Sequence, residues 1–329
     1  MNGAAPKIEI FAPFGAAFEW MKTVLFRPFD FVKWLTIAFA AFLAGAWGGG
    51  FNFSRLGRFS GGDWKYRVDR QGDWPSDWHM PEWAIALIIL AVLVAIVLAL
   101  VFMWIGARGR FIFTDCVVRN RGAIAEPWKE YRREGNSLFF FLLIAGAIVG
   151  VLAIVLVLAI VVPLGLFSQR DETAAAALGI SIIVLLIGLG AIWLLLVLFF
   201  GVITQFMVPV MYRRRCSARE AFTDVTRLIF RNPGPFVLFV LFGMVLAIAV
   251  GLVGMLLACL TCCIGALPYI STVLLLPAIV WLTAFKFLFL RQFGDQYDVW
   301  AAPLLPQAPA LPAEPPPPEA PIPPPGAPA

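Results

Sequence analysis

The run Trp83–Ile105, WAIALIILAVLVAIVLALVFMWI, carries no charged side chain. As a helix rising about 1.5 Å per residue it crosses the roughly 30 Å hydrocarbon core of a bilayer. Trp83 and Trp104 stand at its ends, where amphipathic rings favour the two interfaces. Only 14% of the 329 residues are charged and 61% are hydrophobic, with a mean hydropathy of +0.88. A soluble domain carries about 25% charged residues, so this balance places the chain among membrane proteins.

Similar apolar runs at about 31–48, 138–167, 175–208, 235–257 and 269–290 give an all-α polytopic membrane protein. The expectation is six transmembrane helices in three hairpins, with interfacial amphipathic helices between them. Residues 1–30 form a cytoplasmic amphipathic segment, 31–291 the six-span domain, and 292–329 a tail. In the first segment Phe14, Phe18, Met21 and Leu25 recur at helical spacing around Glu19 and Lys22. Such a helix is expected to lie in the interface with its aromatic face toward lipid. The segment lacks the apolar core of a cleavable signal peptide. From Ala302 onward the tail is proline-rich, with Pro315 to Pro318 consecutive. That composition favours an extended, disordered segment with polyproline II character.

The loops carry their own signals. Arg108, Arg110, Arg119 and Arg121 follow the second span, and a short helix carrying Trp128 and Tyr131 is expected to start at Pro127. Arg213, Arg214 and Arg215 close the fourth span. Ser217-Ala-Arg-Glu220 then has the spacing of a capping box, in which Ser217 accepts from the Glu220 N–H and Glu220 reaches back. The helix it opens places Ala221, Phe222, Val225, Leu228 and Ile229 on one face, and Arg219, Asp224, Arg227 and Arg231 on the other. Asn232-Pro233-Gly234 stops it.

Six spans put both termini on one side, which then holds nineteen Lys and Arg residues against six opposite. The positive-inside rule makes that side the cytoplasm. A weak repeat supports the three-unit division. Ala17-Phe18 precedes Phe26-Arg27-Pro28 by the same step at which Ala221-Phe222 precedes Phe230-Arg231-Asn232-Pro233. The middle copy, Pro127-Trp128 to Asn136, is the most divergent.

The run PVMYRRRCSAREAFTDVTRLIFRNPGPFVLF resembles a pattern found in poorly characterised bacterial six-helix membrane proteins. In these a proline-containing span end is followed by a basic loop, a short amphipathic helix and the next span. The run GRFIFTDCVVRNRGAIAEPWKEYRREGNSLFFF is similar in architecture. The group includes the membrane domain of some glycerophosphoryl diester phosphodiesterases and several families of unknown function. The resemblance covers most of residues 10–298. It implies a fold, a place in the bacterial cytoplasmic (inner) membrane, and hardly any chemistry.

Catalytic chemistry is poorly supplied. His79 is the sole histidine; a Ser-His pair has only it to draw on and no Gly-x-Ser-x-Gly is present, while four-coordinate zinc would need more ligands. Gly294-Asp295 and Tyr297-Asp298 resemble intramembrane aspartyl protease signatures, but they adjoin each other beyond the sixth span, so that reading is discarded. Cys259-Leu-Thr-Cys262 with Cys263 is chemically able to form a redox pair, although cysteine packed as a small hydrophobe accounts for it better. Lys286 is the one charge within a span, near enough to its end for the stem to reach the interface. Thr204 and Gln205 are read as interhelical hydrogen-bonding groups. Gly146-x-x-x-Gly150 and Gly243-x-x-x-Ala247-x-x-x-Gly251 are read as small-residue ladders packing the bundle internally. Pro163, Pro209 and Pro277 are candidates to kink or end their spans.

The basic belt is the best functional clue. Arg108, Arg110, Arg213, Arg214, Arg215, Arg219 and Arg227 are the candidate contacts for anionic lipid, each worth about 1 kcal/mol near an anionic leaflet. Topology alone also explains many of them. The sequence therefore points to a non-enzymatic membrane protein that associates with or organises lipid or partner proteins. Its expected partners are membrane lipids, with no cofactor, metal or nucleic acid; the proline-rich tail is able to dock a cytoplasmic protein, although a plain solvated terminus accounts for it better. The alternative is a carrier of a lipid-like or apolar solute.

Overall fold

The computed structural model describes residue 9 and residues 11–45, 82–167, 172–261 and 267–301. His79, Cys262, Cys263 and the proline-rich stretch from Ala302 lie outside the described residues. Within them all regular structure is helical: α1 (Ala12–Phe26), α2 (Phe31–Gly45), α3 (Glu82–Val118), α4 (Ala125–Glu130), α5 (Arg132–Phe167), α6 (Glu172–Arg214), α7 (Ala218–Arg231), α8 (Pro233–Leu260), α9 (Pro268–Leu274) and α10 (Leu276–Arg291).

Four of these helices are long and apolar enough to cross a membrane: Trp83–Val118, Arg132–Ala159, Leu185–Arg214 and Pro233–Leu260. Between 0% and 17% of the most apolar window of each is buried within the protein, so these faces are left for lipid. The packed core is built instead from the C-terminal parts of α3 and α6 with α7 and α10. Phe111, Phe206, Met207, Met211, Ala221 and Phe287 are fully buried there.

The expected first span is described over the 15 residues of α2, about 22 Å, and its remaining residues lie outside the described ones. The sixth is divided at Leu275 into α9 and α10. Pro277 supplies the reason: it has no N–H to offer the Val273 carbonyl, which instead accepts from Trp34 Nε1 at 3.4 Å. Pro209, in contrast, lies inside α6 without ending it, and α5 runs on past Pro163.

Helix α3 also continues where a loop was expected, so Arg108 and Arg110 are helical residues. Its 37 residues reach about 55 Å, and the 43 of α6 about 65 Å, so both project well beyond a bilayer core. Helices α2 and α3 run antiparallel: Lys33 Nζ donates to Asn120 Oδ1 at 2.7 Å, while Gly109 faces Leu43 and Ala44.

Helix α1 does not turn its whole aromatic face to lipid. Phe14 packs on Trp281, Phe242 and Phe285, and Ala17, Met21, Val24 and Leu25 are buried. The glycine ladder is not used as expected either. A methyl group placed on Gly146, Gly150 or Gly243 meets nothing within 4 Å among the described residues. Thr204 bonds within its own helix, its Oγ1 donating to the Phe200 carbonyl at 2.8 Å.

The packed structure runs on past α10 to Ala301. Tyr297 and Val299 are buried, Asp298 accepts from Arg291 at 3.0 Å, and the Trp300 and Trp20 rings meet edge to face. Residues 292–301 therefore belong to the packed unit.

Candidate functional site

The arginine-rich end gathers the ends of α3 and α6, the starts of α5 and α8, and the short helices α4 and α7. At its centre lies Asp115, fully buried on α3. Its carboxylate accepts from Arg121 Nε at 2.9 Å and from the Tyr212 hydroxyl at 3.0 Å, and pairs with Arg119 Nε at 3.1 Å. Arg119 also pairs with Glu130 at 3.1 Å, and Arg121 with Glu126 at 2.7 Å.

The same Glu130 takes Arg215 from the far side of the bundle. Arg215 follows α6 with φ of 52°, a left-handed conformation that costs an arginine about 1 kcal/mol. It closes the helix, its N–H donating to the Met211 carbonyl at 2.9 Å. Its guanidinium lies 3.8 Å from the Tyr131 ring centre, and that ring runs nearly parallel to Tyr212 at 4.9 Å and to Phe111 at 5.9 Å. Burial pushes the Tyr131 phenol up to about 12, so it stays protonated.

Helix α7 docks through Ala218, Ala221, Val225 and Leu228, all buried. Its start is the capping box: the Glu220 N–H donates to Ser217 Oγ, and Glu220 Oε2 accepts from the Ser217 N–H, both at 3.4 Å. Arg214 pairs with Asp224 across the turn.

The seven candidate lipid contacts thus divide. Arg214 and Arg215 are committed to carboxylates, and Arg213 is buried with its guanidinium donating to the Ala301 carbonyl at 3.1 Å. Arg108 is buried as well, bonded to Asn136 Oδ1 at 2.9 Å and lying 4.2 Å from the Trp104 ring centre. Arg219 and Arg227, together with Arg231, are exposed on the outer face of α7. Arg110 is half-buried. Sequence reasoning missed Asp115, Glu130 and Tyr212; a lone acid amid arginines was the signal available for the first.

Burial works against ionisation of Glu130, but the hydrogen bond and charge of Arg119, with those of Arg215, outweigh it and hold its pKa below the usual carboxylate range. A folded-state pKa below the unfolded one gives stability that is present above the unfolded value, about 4.3, and lost as pH falls through the folded value. The thermal midpoint of the detergent-solubilised protein is therefore expected to be flat near neutrality and to fall below about pH 4. In Glu130→Gln the Glu130 share of that acid loss should vanish. An identical acid limb in wild type and variant would remove Glu130 from the account.

Among the described residues no group of three His, Cys, Asp or Glu side chains could hold a metal ion. Cys116, Cys216 and Cys259 are free thiols.

Long apolar helices joined at one arginine-rich, ion-paired end define a helical membrane protein. The sequence model of a family of unknown function (DUF7544) matches residues 9–298, and the chain belongs to that family. No curated protein and no solved structure matches the chain.

Proposed function

We propose that the protein is a non-enzymatic integral membrane protein that associates with anionic lipid through the outer face of α7. The observation that carries this reading is the division of the arginines. Arg119, Arg121, Arg214 and Arg215 meet carboxylates, whereas Arg219, Arg227 and Arg231 are exposed on one short amphipathic helix. Three such cations near an anionic leaflet are worth about 1 kcal/mol each. Helix α7 leads directly into α8, so its charged face sits at the level where a span begins.

In this reading the arginine-rich end faces the cytoplasm, because nineteen Lys and Arg residues lie on that side of a six-span topology against six opposite. Helices α2 and α9–α10 complete the six spans by packing against α3 and α8 where the bilayer thins around them, and the membrane is the bacterial inner membrane. The likeness to the membrane domain of glycerophosphoryl diester phosphodiesterases belongs to the same reading.

Native mass spectrometry of the full chain released from detergent tests it. Copurifying phosphatidylglycerol should be retained by wild type and reduced several-fold in Arg219→Gln/Arg227→Gln/Arg231→Gln. Equal retention in both would end the assignment to α7. Protein-dependent flux of labelled lipid in proteoliposomes would replace it with the carrier reading.

A further inference from the structure

The arginine-rich end also holds a cavity, of about 380 Å³. Among the described residues it is lined by Ala16 and Trp20 of α1, Leu288 and Arg291 of α10, and Trp300. Four of these five side chains are apolar, and the fifth ends in a guanidinium. Two contacts place the cavity at this end of the bundle. Trp20 Nε1 donates to the Val117 carbonyl, near the end of α3, at 3.1 Å. Ala301, beside Trp300, accepts from Arg213.

Each wall is held from behind. The Trp20 indole is fixed by its bond to Val117 and meets the Trp300 ring edge to face, 5.4 Å between centroids. Phe287 braces Trp300 in turn, at 6.1 Å, and the Trp300 backbone N–H donates to Asp298 Oδ1 at 3.0 Å. The other oxygen of Asp298 pairs with Arg291 Nε at 3.0 Å. One carboxylate thus positions both the cation and the second indole. Ahead of α1, the Glu9 N–H and carbonyl bond the side-chain amide of Gln292, both at 2.8 Å, which ties the approach to α1 to the residue after Arg291. Closing the cavity would break these contacts, so it is preformed.

Shape and charge together select a ligand. The volume is at the low end of ligand pockets, which span about 300–1,000 Å³, and suits one slender apolar body better than the two chains of a phospholipid. Indole rings offer broad apolar surface for methylene groups. Among the described residues Asp298, at Nε, is the only carboxylate that meets Arg291, so the terminal nitrogens remain as two parallel donors, the geometry a carboxylate accepts. The Arg291 side chain is 58% exposed, so an anionic head bound there keeps part of its water.

We infer that this cavity binds a single-chain anionic amphiphile, a long-chain carboxylate. Its hydrocarbon lies against Trp20, Leu288 and Trp300, and its head pairs with Arg291. The site shares no residue with the exposed face of α7 and stands or falls apart from it.

The test uses the full-length protein in phosphatidylcholine nanodiscs and a long-chain fatty acid carrying a mid-chain diazirine. After illumination the adducts are mapped by peptide mass spectrometry. They should concentrate on residues 16–20 and 288–300, and excess palmitate should displace them. The uncharged methyl ester of the same photoreactive acid should label these peptides far less. In Arg291→Gln the concentration for half-maximal labelling should rise about tenfold, the loss of one charge-assisted contact. Ala16→Leu, at an exposed position, should fill the cavity and abolish the adducts without lowering the thermal midpoint.

Adducts spread evenly over the lipid-facing helices, or adducts that palmitate does not displace, would overturn the inference. So would equal labelling by the methyl ester, or wild-type labelling in both variants. A photoreactive phosphatidylglycerol that labels the same peptides at least as strongly would make bilayer lipid the occupant and overturn the single-chain assignment. The triple α7 variant should label as wild type does. Loss of phosphatidylglycerol retention on α7 and loss of fatty-acid labelling here are therefore separate failures.

Discussion

Replacing Asp115 with alanine should destabilise the protein by about 3 kcal/mol, the low end of the cost of removing one partner from a buried ion pair. The carboxylate is fully buried and serves Arg119, Arg121 and Tyr212 together. Its loss leaves a phenol without its acceptor and strands two guanidinium groups. The cost stays at the low end because those arginine side chains remain 39% and 29% exposed, so water recovers part of the loss. For a chain of 329 residues that corresponds to a fall of roughly 4 °C in thermal midpoint. Asp115→Asn keeps an acceptor for the Tyr212 hydroxyl and should lose about half as much. Thermal unfolding of the two variants in detergent checks both the size and the order. An Asp115→Ala midpoint within about 1 °C of wild type would mean that Arg119 and Arg121 are held by Glu130 and Glu126 alone.

Local features were legible in the amino-acid sequence. Ser217 and Glu220 are three residues apart, and the capping box they form needs nothing from the rest of the chain. The buried face of α7 comes in the same way from the spacing of Ala221, Val225 and Leu228. Ala17 and Ala221, the equivalent positions of the repeat, are both fully buried, on α1 and α7. Long charge-free runs likewise announced the four long helices, because a bilayer imposes both length and composition.

The arginine network was not legible for the complementary reason. Arg215 meets Glu130 across 85 residues of sequence, and Tyr212 meets Asp115 across 97. A belt of arginines looks the same in a sequence whether its members face lipid or are paired inward. The charge rule that orients a membrane protein counts cations without asking what they touch. Arg214 and Arg215 satisfy that rule while being bound to Asp224 and Glu130. Glycine was ambiguous in the same sense. The pattern Gly146-x-x-x-Gly150 announces a close helix crossing, yet the crossing that has no room for a side chain is at Gly109, beside a charged residue and in no such pattern.

That contrast gives the second large effect. A Cβ on Gly109 would lie 2.8 Å from the Leu43 carbonyl carbon and 2.8 Å from the Ala44 nitrogen. These are backbone atoms of a helix, so no rotamer change relieves the contact, and α2 and α3 must separate. Gly109→Ala should therefore be destabilising by about 2–3 kcal/mol, even after alanine's advantage of roughly 1 kcal/mol within a helix. Gly135→Ala meets Arg108 Cγ at the same 2.8 Å, but that atom belongs to a long side chain able to shift, so the penalty should be smaller. Gly146→Ala meets nothing within 4 Å and should be neutral or slightly stabilising. The three variants differ by the same single methyl group, so thermal midpoints in one detergent isolate the effect of place. If Gly146→Ala lost more than Gly109→Ala, the tight α2–α3 crossing would be wrong, and a second copy of the chain would be the natural occupant of the Gly146 face.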